Sequence, residues 1–548
     1  MEKPTTSICR CPEVEKIEAS RSGIESDSET QNFRNLIDNS RKLFSPDAED
    51  LVEQTLAGTK INKRRVSDIG IGYANDYSAG IMSEMITSGE NWAEWDVDDP
   101  TAKDIKDLAI MTQKTMDSLL YSNFTEEIGK AIHSSCVDGT VCFASETSAG
   151  EKIVDRFIPF GSFWFVRNFF GIADTVWVEK ETTAGALVGH YGKDGVSLNT
   201  LAESKKSPNT KVKIIYYCAP KKDRKKGERA FQHIIYEKGE KNRLESGESD
   251  YQVYSVYAVR RINNETYGRG PCITCLCGMA AIERKEKDIQ RADAKNACPC
   301  FAIPASNGRK SFRWMHDQES STMIYDDVNG SPPIELTSGA KLDMAFEILK
   351  FKADGMRSMF FLDYFNPLQD RKNMTLGETR ERVQKSHQMV SQIVSPLEEQ
   401  LLTPVLQNRL DMLLDKGVFA EIGTKEEILA RFGGKLKIKY TSRLANAQKR
   451  IRLISIMEAV EAVIGSAAQL PLESQYELIM SVEWTKIPKE IFTGTNAPLE
   501  LLRPDADVKQ LVDQFNQANA QRQQLESAVM GADAASKMSQ AQPQESQM

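Results

Sequence analysis

The sequence has no long apolar run and no excess of basic residues. No stretch approaches the roughly 18 to 20 consecutive apolar residues of a membrane span, and the first residues lack the basic-then-apolar order of a signal peptide. We therefore expect an intracellular protein that does not contact a membrane. Across 548 residues, 70 Lys and Arg stand against 78 Asp and Glu, a formal net charge of −8. This balance argues against a surface that binds phosphate throughout, so contacts with nucleic acid should be local.

The motifs of common enzymes are also missing. No GxxxxGK[ST] phosphate loop occurs, so the chain is not expected to hydrolyse nucleotides by itself. The five histidines match no HExxH motif and accompany no GxSxG motif. The acidic pairs Asp98–Asp99 and Asp326–Asp327 lie in turn-like contexts, where a solvated carboxylate is the commoner explanation. We predict no catalytic residue and no cofactor; a metal-dependent nucleic-acid-processing subunit that uses these acidic turns is the alternative.

Cysteine, by contrast, is abundant in one place. The stretch GPCITCLCGMAAIERKEKDIQRADAKNACPC, residues 270–300, holds five of the ten cysteines, and closely spaced thiolates are typical of zinc sites. The residues between Met279 and Ala297 have a strong helix composition. A continuous helix would separate Cys277 from Cys298 by about 32 Å, at roughly 1.5 Å per residue. One ion cannot bridge that distance, so we predict packed thiols and no metal. A zinc-stabilised binding module remains the alternative.

The first half of the chain changes from polar to helical to β-rich. Residues 1–30 are acidic and polar, which predicts a flexible arm or a segment ordered only by a partner. Amphipathic helices are expected from Phe33 to His133. Alternating apolar and aromatic runs then predict strands up to about Ile262, with a turn at Asn168 to Gly171.

The second half is mainly helical around one small β unit. Short strands separated by Asn-Gly turns are predicted within residues 301–340, and a helix precedes and follows them. A long helix begins near Thr375 and contains Pro396 and Pro404, which predict kinks. The fold class is therefore α+β and mainly helical.

Three segments together resemble a known family. They are YANDYSAGIMSEMITSGENWAEW, TYGRGPC before the charged helix, and TLGETRERVQKSHQMVSQIVSPLEEQLLTPVLQNRLDML. In this order and at these separations they are similar to the portal, or head-to-tail connector, proteins of short-tailed double-stranded DNA bacteriophages. The most specific parts are Tyr267-Gly268-Arg269-Gly270-Pro271, then Thr375, Glu378 and Arg382, then Pro396-Leu397 and Leu402-Thr403-Pro404.

This resemblance implies an elongated subunit of a twelve-membered ring. The ring would occupy one capsid vertex and serve as the conduit for genome packaging and ejection. The implied segments are a flexible arm (1–30), a wing (31–271 and 375–480, the latter with a long kinked helix), a two-helix stem (272–297 and 342–362), a small β clip (298–341), a tunnel loop (363–374) and a helical crown with a mobile C-terminal tail (481–548).

The resemblance also implies partners and contact residues. The expected partners are identical subunits, double-stranded DNA, the terminase motor, tail adaptors, and the major capsid and scaffold proteins. The protein is expected at the capsid vertex of the virion after assembly in the host cytoplasm. Candidates for DNA contact in the tunnel loop are Gln369, Arg371, Lys372 and Asn373. Candidates on the stem for facing the channel or a neighbouring subunit are Glu283, Arg284, Lys287 and Arg291.

Overall fold

In the computed structural model the chain divides into two compact units, residues 1–445 and 446–548. In the second unit, residues 456–466 are helical. The structure describes residues 12–47, 51, 67–86, 91–98, 100–147, 152–221, 229–262, 265–297, 300–304, 322–325, 334–336, 342–365, 393–433, 435–441, 453, 456–466, 487–488 and 491.

Helices dominate the first unit. They begin at residues that favour helix starts, as in the helix Ala102–Leu120, where the Thr101 side chain accepts from the Asp104 N–H and the Asp104 carboxylate accepts from the Thr101 N–H. Besides the helical residues 393–397 and 456–466, the helices in the described residues are α1 (Pro12–Ser26), α2 (Ser28–Phe44), α3 (Ile69–Met85), α4 (Ala102–Leu120), α5 (Phe124–Val137), α6 (Ala184–Tyr191), α7 (Leu198–Lys206), α8 (Pro271–Thr274), α9 (Leu276–Ala297), α10 (Leu342–Met359), α11 (Leu362–Phe365), α12 (Thr403–Asp415) and α13 (Lys425–Phe432).

The strands among the described residues form four sheets, and most pairs are antiparallel. The sheet orders are β1-β13, β3-β2-β9, β4-β5-β6-β7-β8 and β11-β10-β12. A fold with both helices and sheets agrees with the predicted α+β class. The strands are β1 (Ala93–Asp96), β2 (Thr140–Thr147), β3 (Ile153–Ile158), β4 (Phe163–Arg167), β5 (Ala173–Thr183), β6 (Lys211–Pro220), β7 (Phe231–Glu237), β8 (Arg243–Ser249), β9 (Tyr254–Ala258), β10 (Cys300–Pro304), β11 (Thr322–Tyr325), β12 (Ile334–Leu336) and β13 (Lys437–Tyr440).

The main core lies between helices and the β3-β2-β9 sheet. It is lined by buried side chains of α3, α5 and β2, such as Tyr77, Ile128 and Phe143, and by the first residues of α9 and the last residues of α10. A second core joins α2 to the five-stranded sheet through Phe33 and Phe165. The helices α9 and α10 are therefore anchored at one end in the largest core cluster that the described residues form.

The predicted flexible arm is wrong for residues 12–30. Helix α1 packs on one face of the five-stranded sheet, where Val14 lies in a core cluster with Trp164 and Trp177. The Tyr236 hydroxyl donates a 2.6 Å hydrogen bond to the buried Glu18 carboxylate. This short polar helix is stable because an aromatic sheet face covers its few apolar residues, which the composition of the segment alone does not show.

Candidate functional site: a helix pair carrying a small sheet

Two long helices, α9 and α10, pack against each other in opposite directions. The Cys275 Sγ just before α9 lies 3.4 Å from the Met359 Sδ at the end of α10. One turn further, a Cβ added at Gly278 would lie 3.5 Å from the Met356 Sδ. The beginning of one helix therefore meets the end of the other. The helix predicted from Met279 to Ala297 is confirmed, since α9 runs unbroken from Leu276 to Ala297.

A small sheet joins the far ends of the two helices. Strand β10 follows α9 and pairs antiparallel with β12, so that Cys300 lies opposite Leu336. Strand β11 pairs with β10 in parallel, with Phe301 opposite Thr322. The short strands predicted within residues 301–340 are confirmed in part, by β10 and β11. Strand β12 was not predicted, because IEL is too short to show a period.

The segment Tyr267-Gly268-Arg269-Gly270-Pro271 fixes where α9 leaves the body of the protein. Tyr267 is buried between the rings of Phe33, Phe160 and Phe165, with centroid distances of 5.3 to 5.4 Å. Its hydroxyl lies 3.1 Å from the Thr30 hydroxyl. This aromatic anchor holds the chain directly before the helix pair.

The glycines of this segment permit a close backbone crossing. A Cβ at Gly270 would lie 2.2 Å from the Cys136 carbonyl oxygen, and one at Gly268 would lie 2.6 Å from the Gly139 carbonyl oxygen. Real Cβ atoms essentially never come that close, so only glycine fits at either position without a backbone shift. Pro271 then starts helix α8, where a missing N–H costs nothing.

The cysteines at the start of α9 pack among themselves and with methionine. Cys272 is buried with its Sγ 3.6 Å from the Cys136 Sγ, and Cys275 is buried against Met359. Burial raises the pKa of Cys275 to about 11 and that of Cys272 well above its usual value. Cys277 is exposed. No group of metal-ligating side chains occurs among the described residues.

The four stem candidates differ in their surroundings. The Glu283 carboxylate is buried and accepts a 3.0 Å hydrogen bond from the Ser67 N–H, and it also pairs with Lys287 at 3.1 Å. Arg284 and Arg291 are exposed, and Arg291 is 3.9 Å from Asp288. Glu283 therefore serves a contact within the subunit, whereas the two arginines are available to another molecule.

Several other predicted positions lie outside the described residues. These are the tunnel-loop candidates Gln369, Arg371, Lys372 and Asn373, the acidic pair Asp326–Asp327, and Asp99. The other acidic candidate, Asp98, is exposed and pairs with Lys437 at 2.6 Å.

The predicted kinks near Pro396 and Pro404 coincide with a widened helical turn. Residues 393–397 are helical, Glu398–Leu402 form a π turn, and α12 follows with Pro404 in its first turn. Pro404 has no N–H to donate to the preceding turn, so the regular α-helical bond is lost there. Burial raises the pKa of Glu398 at the start of this turn to about 7.

Two buried ion pairs were missed by sequence reasoning. Arg409 of α12 pairs with Asp155 of β3, and both side chains are fully buried. Arg41 of α2 pairs with Asp138 after α5. A signal was present in the first case, because Arg409 lies within the apolar run of PVLQNRLDMLL. Loss of one partner from either pair would leave the other charge buried without its counter-charge.

None of the helices in the described part of the chain is long and apolar enough to cross a membrane.

Comparison with known proteins identifies the class. The family of bacteriophage head to tail connecting proteins matches this chain over residues 15–502. The chain belongs to this family, and is thus a structural protein of a phage. It is also similar to the portal protein of Salmonella phage epsilon15, with 22% identity over 412 residues that cover 72% of this chain and 73% of the relative.

Proposed function

We propose that the chain is a portal subunit that forms a closed ring, with twelve copies as the expected number, at one capsid vertex. The observation that carries the proposal is the antiparallel pair of α9 and α10 with a small sheet between their far ends. Around a ring axis, such pairs line a channel and present their sheets at one mouth. The similarity to a portal protein over most of the chain supports the same conclusion.

The proposed segments follow the resemblance. Residues 272–297 and 342–362 form the stem, 298–341 the clip, 363–374 the tunnel loop and 481–548 the crown and tail, while 31–271 and 375–480 form the wing. The clip is the proposed docking site of the terminase motor and later of tail adaptors. The wing is the proposed contact for the capsid and scaffold proteins during assembly in the host cytoplasm.

A DNA conduit must hold a polyanion without binding it tightly. Each phosphate contact adds salt-dependent affinity, which would slow the passage of DNA. The exposed residues of α9 carry both charge signs, with Arg284, Asp288 and Arg291 in succession, and the chain is acidic overall. We propose that the few contacts with DNA come from Gln369, Arg371, Lys372 and Asn373, and that the protein has no catalytic site or cofactor.

The first test is the mass of the purified native protein by native mass spectrometry, with metal content measured on the same sample. We expect a closed ring of about a dozen subunits without stoichiometric zinc. A monomer or dimer that carries zinc would contradict the proposal.

The tunnel-loop contacts are tested separately. The double variant Arg371→Ala with Lys372→Ala should keep the mass of the ring and lower the amount of DNA packaged per head. Normal packaging by this variant would remove these two residues from the proposal and leave the ring intact.

A further inference from the structure

One face of helix α10 is apolar and exposed. Met344, Ile348, Phe351 and Met359 are exposed, and Phe351 is 80% exposed. Their spacing in the sequence places them on a single side of the helix. We call these four residues the α10 stripe. A row of large apolar side chains in water is typical of a surface that another molecule covers.

The opposite face of α10 is used within the subunit over its last turns, whereas Phe346, on the same side nearer the start of the helix, is 55% exposed. Met356 and Phe360 are buried in the main core, and the carbonyl of Ala353 accepts a 3.1 Å hydrogen bond from the Tyr73 hydroxyl. Met359 of the stripe already meets Cys275 within the subunit, and the remainder of the α10 stripe therefore needs a partner from outside the subunit.

An acidic row borders the stripe. Asp343, Glu347 and Asp354 are exposed and lie along one side of α10, next to the apolar residues. None of the three forms an ion pair with a described residue. The molecule that covers the stripe should therefore bring positive charges to this border.

Helix α9 has a face that matches both features. Arg284, Arg291 and Lys295 are exposed on one side of α9, with Asp288 between them. Arg284 and Lys295 form no ion pair with any residue that the structure describes, and the Arg291–Asp288 distance of 3.9 Å is long. The aliphatic part of an Arg or Lys side chain can cover apolar surface while its charged end reaches an acidic group.

Residues of the two faces also lie at corresponding heights along the helix axes. Cys275 lies beside Met359 and Gly278 faces Met356. If this antiparallel register continues at equal rise, Arg284 is level with Lys350, the neighbour of Phe351, and Arg291 is level with Asp343. Subunits related by rotation about an axis roughly parallel to the helices keep these levels, so the facing residues would meet.

We propose that the α10 stripe of one copy packs against the Arg284, Arg291 and Lys295 face of α9 in the next copy. The contact joins two different faces, as a closed ring with a single rotation axis requires. This inference rests on the proposed function, because it names the surface by which the ring closes. It also assigns two of the stem candidates, Arg284 and Arg291, to the contact between subunits.

The test measures ring formation by native mass spectrometry for two variants. One is Phe351→Glu, and the other is Arg284→Glu with Arg291→Glu. We expect each variant to lower the fraction of assembled subunits by about tenfold or more, because Phe351→Glu removes the most exposed apolar side chain of the stripe, and the arginine variant brings like charges together across the contact. All these side chains are exposed, so the subunits should keep the circular dichroism spectrum of the unchanged protein.

Matched controls lie on other helices. Leu198→Glu replaces an exposed apolar residue in the first turn of α7, and Lys103→Glu with Lys106→Glu reverses two exposed charges in α4. Both controls should keep the ring. The exchange of Arg291→Asp with Asp343→Arg should restore assembly that Arg291→Asp alone reduces, since it restores opposite charges across the contact.

The outcomes separate this inference from the proposed function. An unchanged protein that forms no ring contradicts the proposed function. If the unchanged protein forms the ring and both variants assemble fully, the α10 contact alone is overturned. Loss of assembly in Phe351→Glu but not in the arginine variant, or no rescue by the charge exchange, shows that another surface covers the stripe. Intact rings with failed head assembly would assign the stripe to a scaffold or adaptor protein, which also overturns the inference.

Discussion

The guanidinium of Arg41 in α2 holds the carboxylate of Asp138, 97 residues later, through two hydrogen bonds of 2.8 and 2.6 Å. Both side chains are buried, and the Ser134 hydroxyl donates a third bond of 2.7 Å to the same carboxylate. Asp138 precedes Gly139, whose carbonyl oxygen would lie 2.6 Å from a Cβ added at Gly268. The pair thus connects the N-terminal helices to the point where the helix pair begins.

Removal of this arginine should destabilise the protein strongly. Arg41→Ala leaves the Asp138 carboxylate buried without its cation, and we expect the free energy of unfolding to fall by about 3–5 kcal/mol. Urea unfolding at fixed protein concentration measures the effect. Arg243→Ala, at an exposed position in β8, is the control and should change stability by less than about 0.5 kcal/mol. A loss in Arg41→Ala as small as in the control would show that the pair is not important for stability.

Two glycines near the start of α9 should respond in opposite ways to the same change. Gly270→Ala places a Cβ against the Cys136 carbonyl, and we expect a loss of about 2–3 kcal/mol, because backbone atoms must move. Gly278→Ala meets only the Met356 side chain, at ordinary distances of 3.5 and 3.7 Å, and lies inside a helix, so it should be neutral or stabilise by up to about 1 kcal/mol. Thermal unfolding measures the stability of both variants. Equal changes in stability would contradict the close backbone contact at Gly270.

Helix α1 should detach when its apolar contact is replaced by a charge. Val14 is fully buried beside Trp164 and Trp177, and Val14→Asp should cost about 2–4 kcal/mol in local stability. The exposure of the two rings should move the tryptophan emission to longer wavelength and open the segment to proteolysis. Lys16→Asp, on the exposed side of the same helix, should leave both readouts unchanged. An unaltered spectrum for Val14→Asp would mean that α1 does not cover these rings.

Sequence patterns predicted the elements whose signals are local. The turn at Asn168 to Gly171 is present, because the Asn168 side chain accepts from the N–H groups of Phe170 and Ile172 and Gly171 adopts φ 79°. Helix α9 was predicted from its composition alone. In such segments the information needed lies within a few residues.

Elements that depend on distant partners were missed. Strand β8, with the sequence RLESGES, has no apolar alternation and forms only because β7 offers its edge. Helix α1 depends on an aromatic sheet face more than a hundred residues away. Glu283 was taken for a surface residue, whereas the Ser67 N–H draws it into the body. These contacts arise from tertiary packing and leave no periodic trace in the sequence.

The π turn at Glu398–Leu402 should make stability depend on pH. Burial raises the pKa of Glu398 to about 7 from a usual value of 4.5, so the folded protein binds a proton there that the unfolded chain releases. The contribution of Glu398 to the free energy of unfolding is therefore fully present below about pH 4.5 and is lost as the pH rises through about 7. Since Glu398 is only partly buried, Glu398→Gln should raise the free energy of unfolding at pH 8 by a discounted amount, on the order of 1 kcal/mol.

Urea unfolding between about pH 5 and about pH 8 tests this prediction, because the stability change should occur as the pH rises through the folded-state pKa of Glu398. The unchanged protein should lose stability toward pH 8 more steeply than Glu398→Gln does, because the amide carries no charge that burial can penalise. Glu399→Gln changes the neighbouring exposed carboxylate and should reproduce the profile of the unchanged protein. If Glu398→Gln keeps the full pH slope, the proton resides on another group, and the kinked helix does not owe its pH response to Glu398.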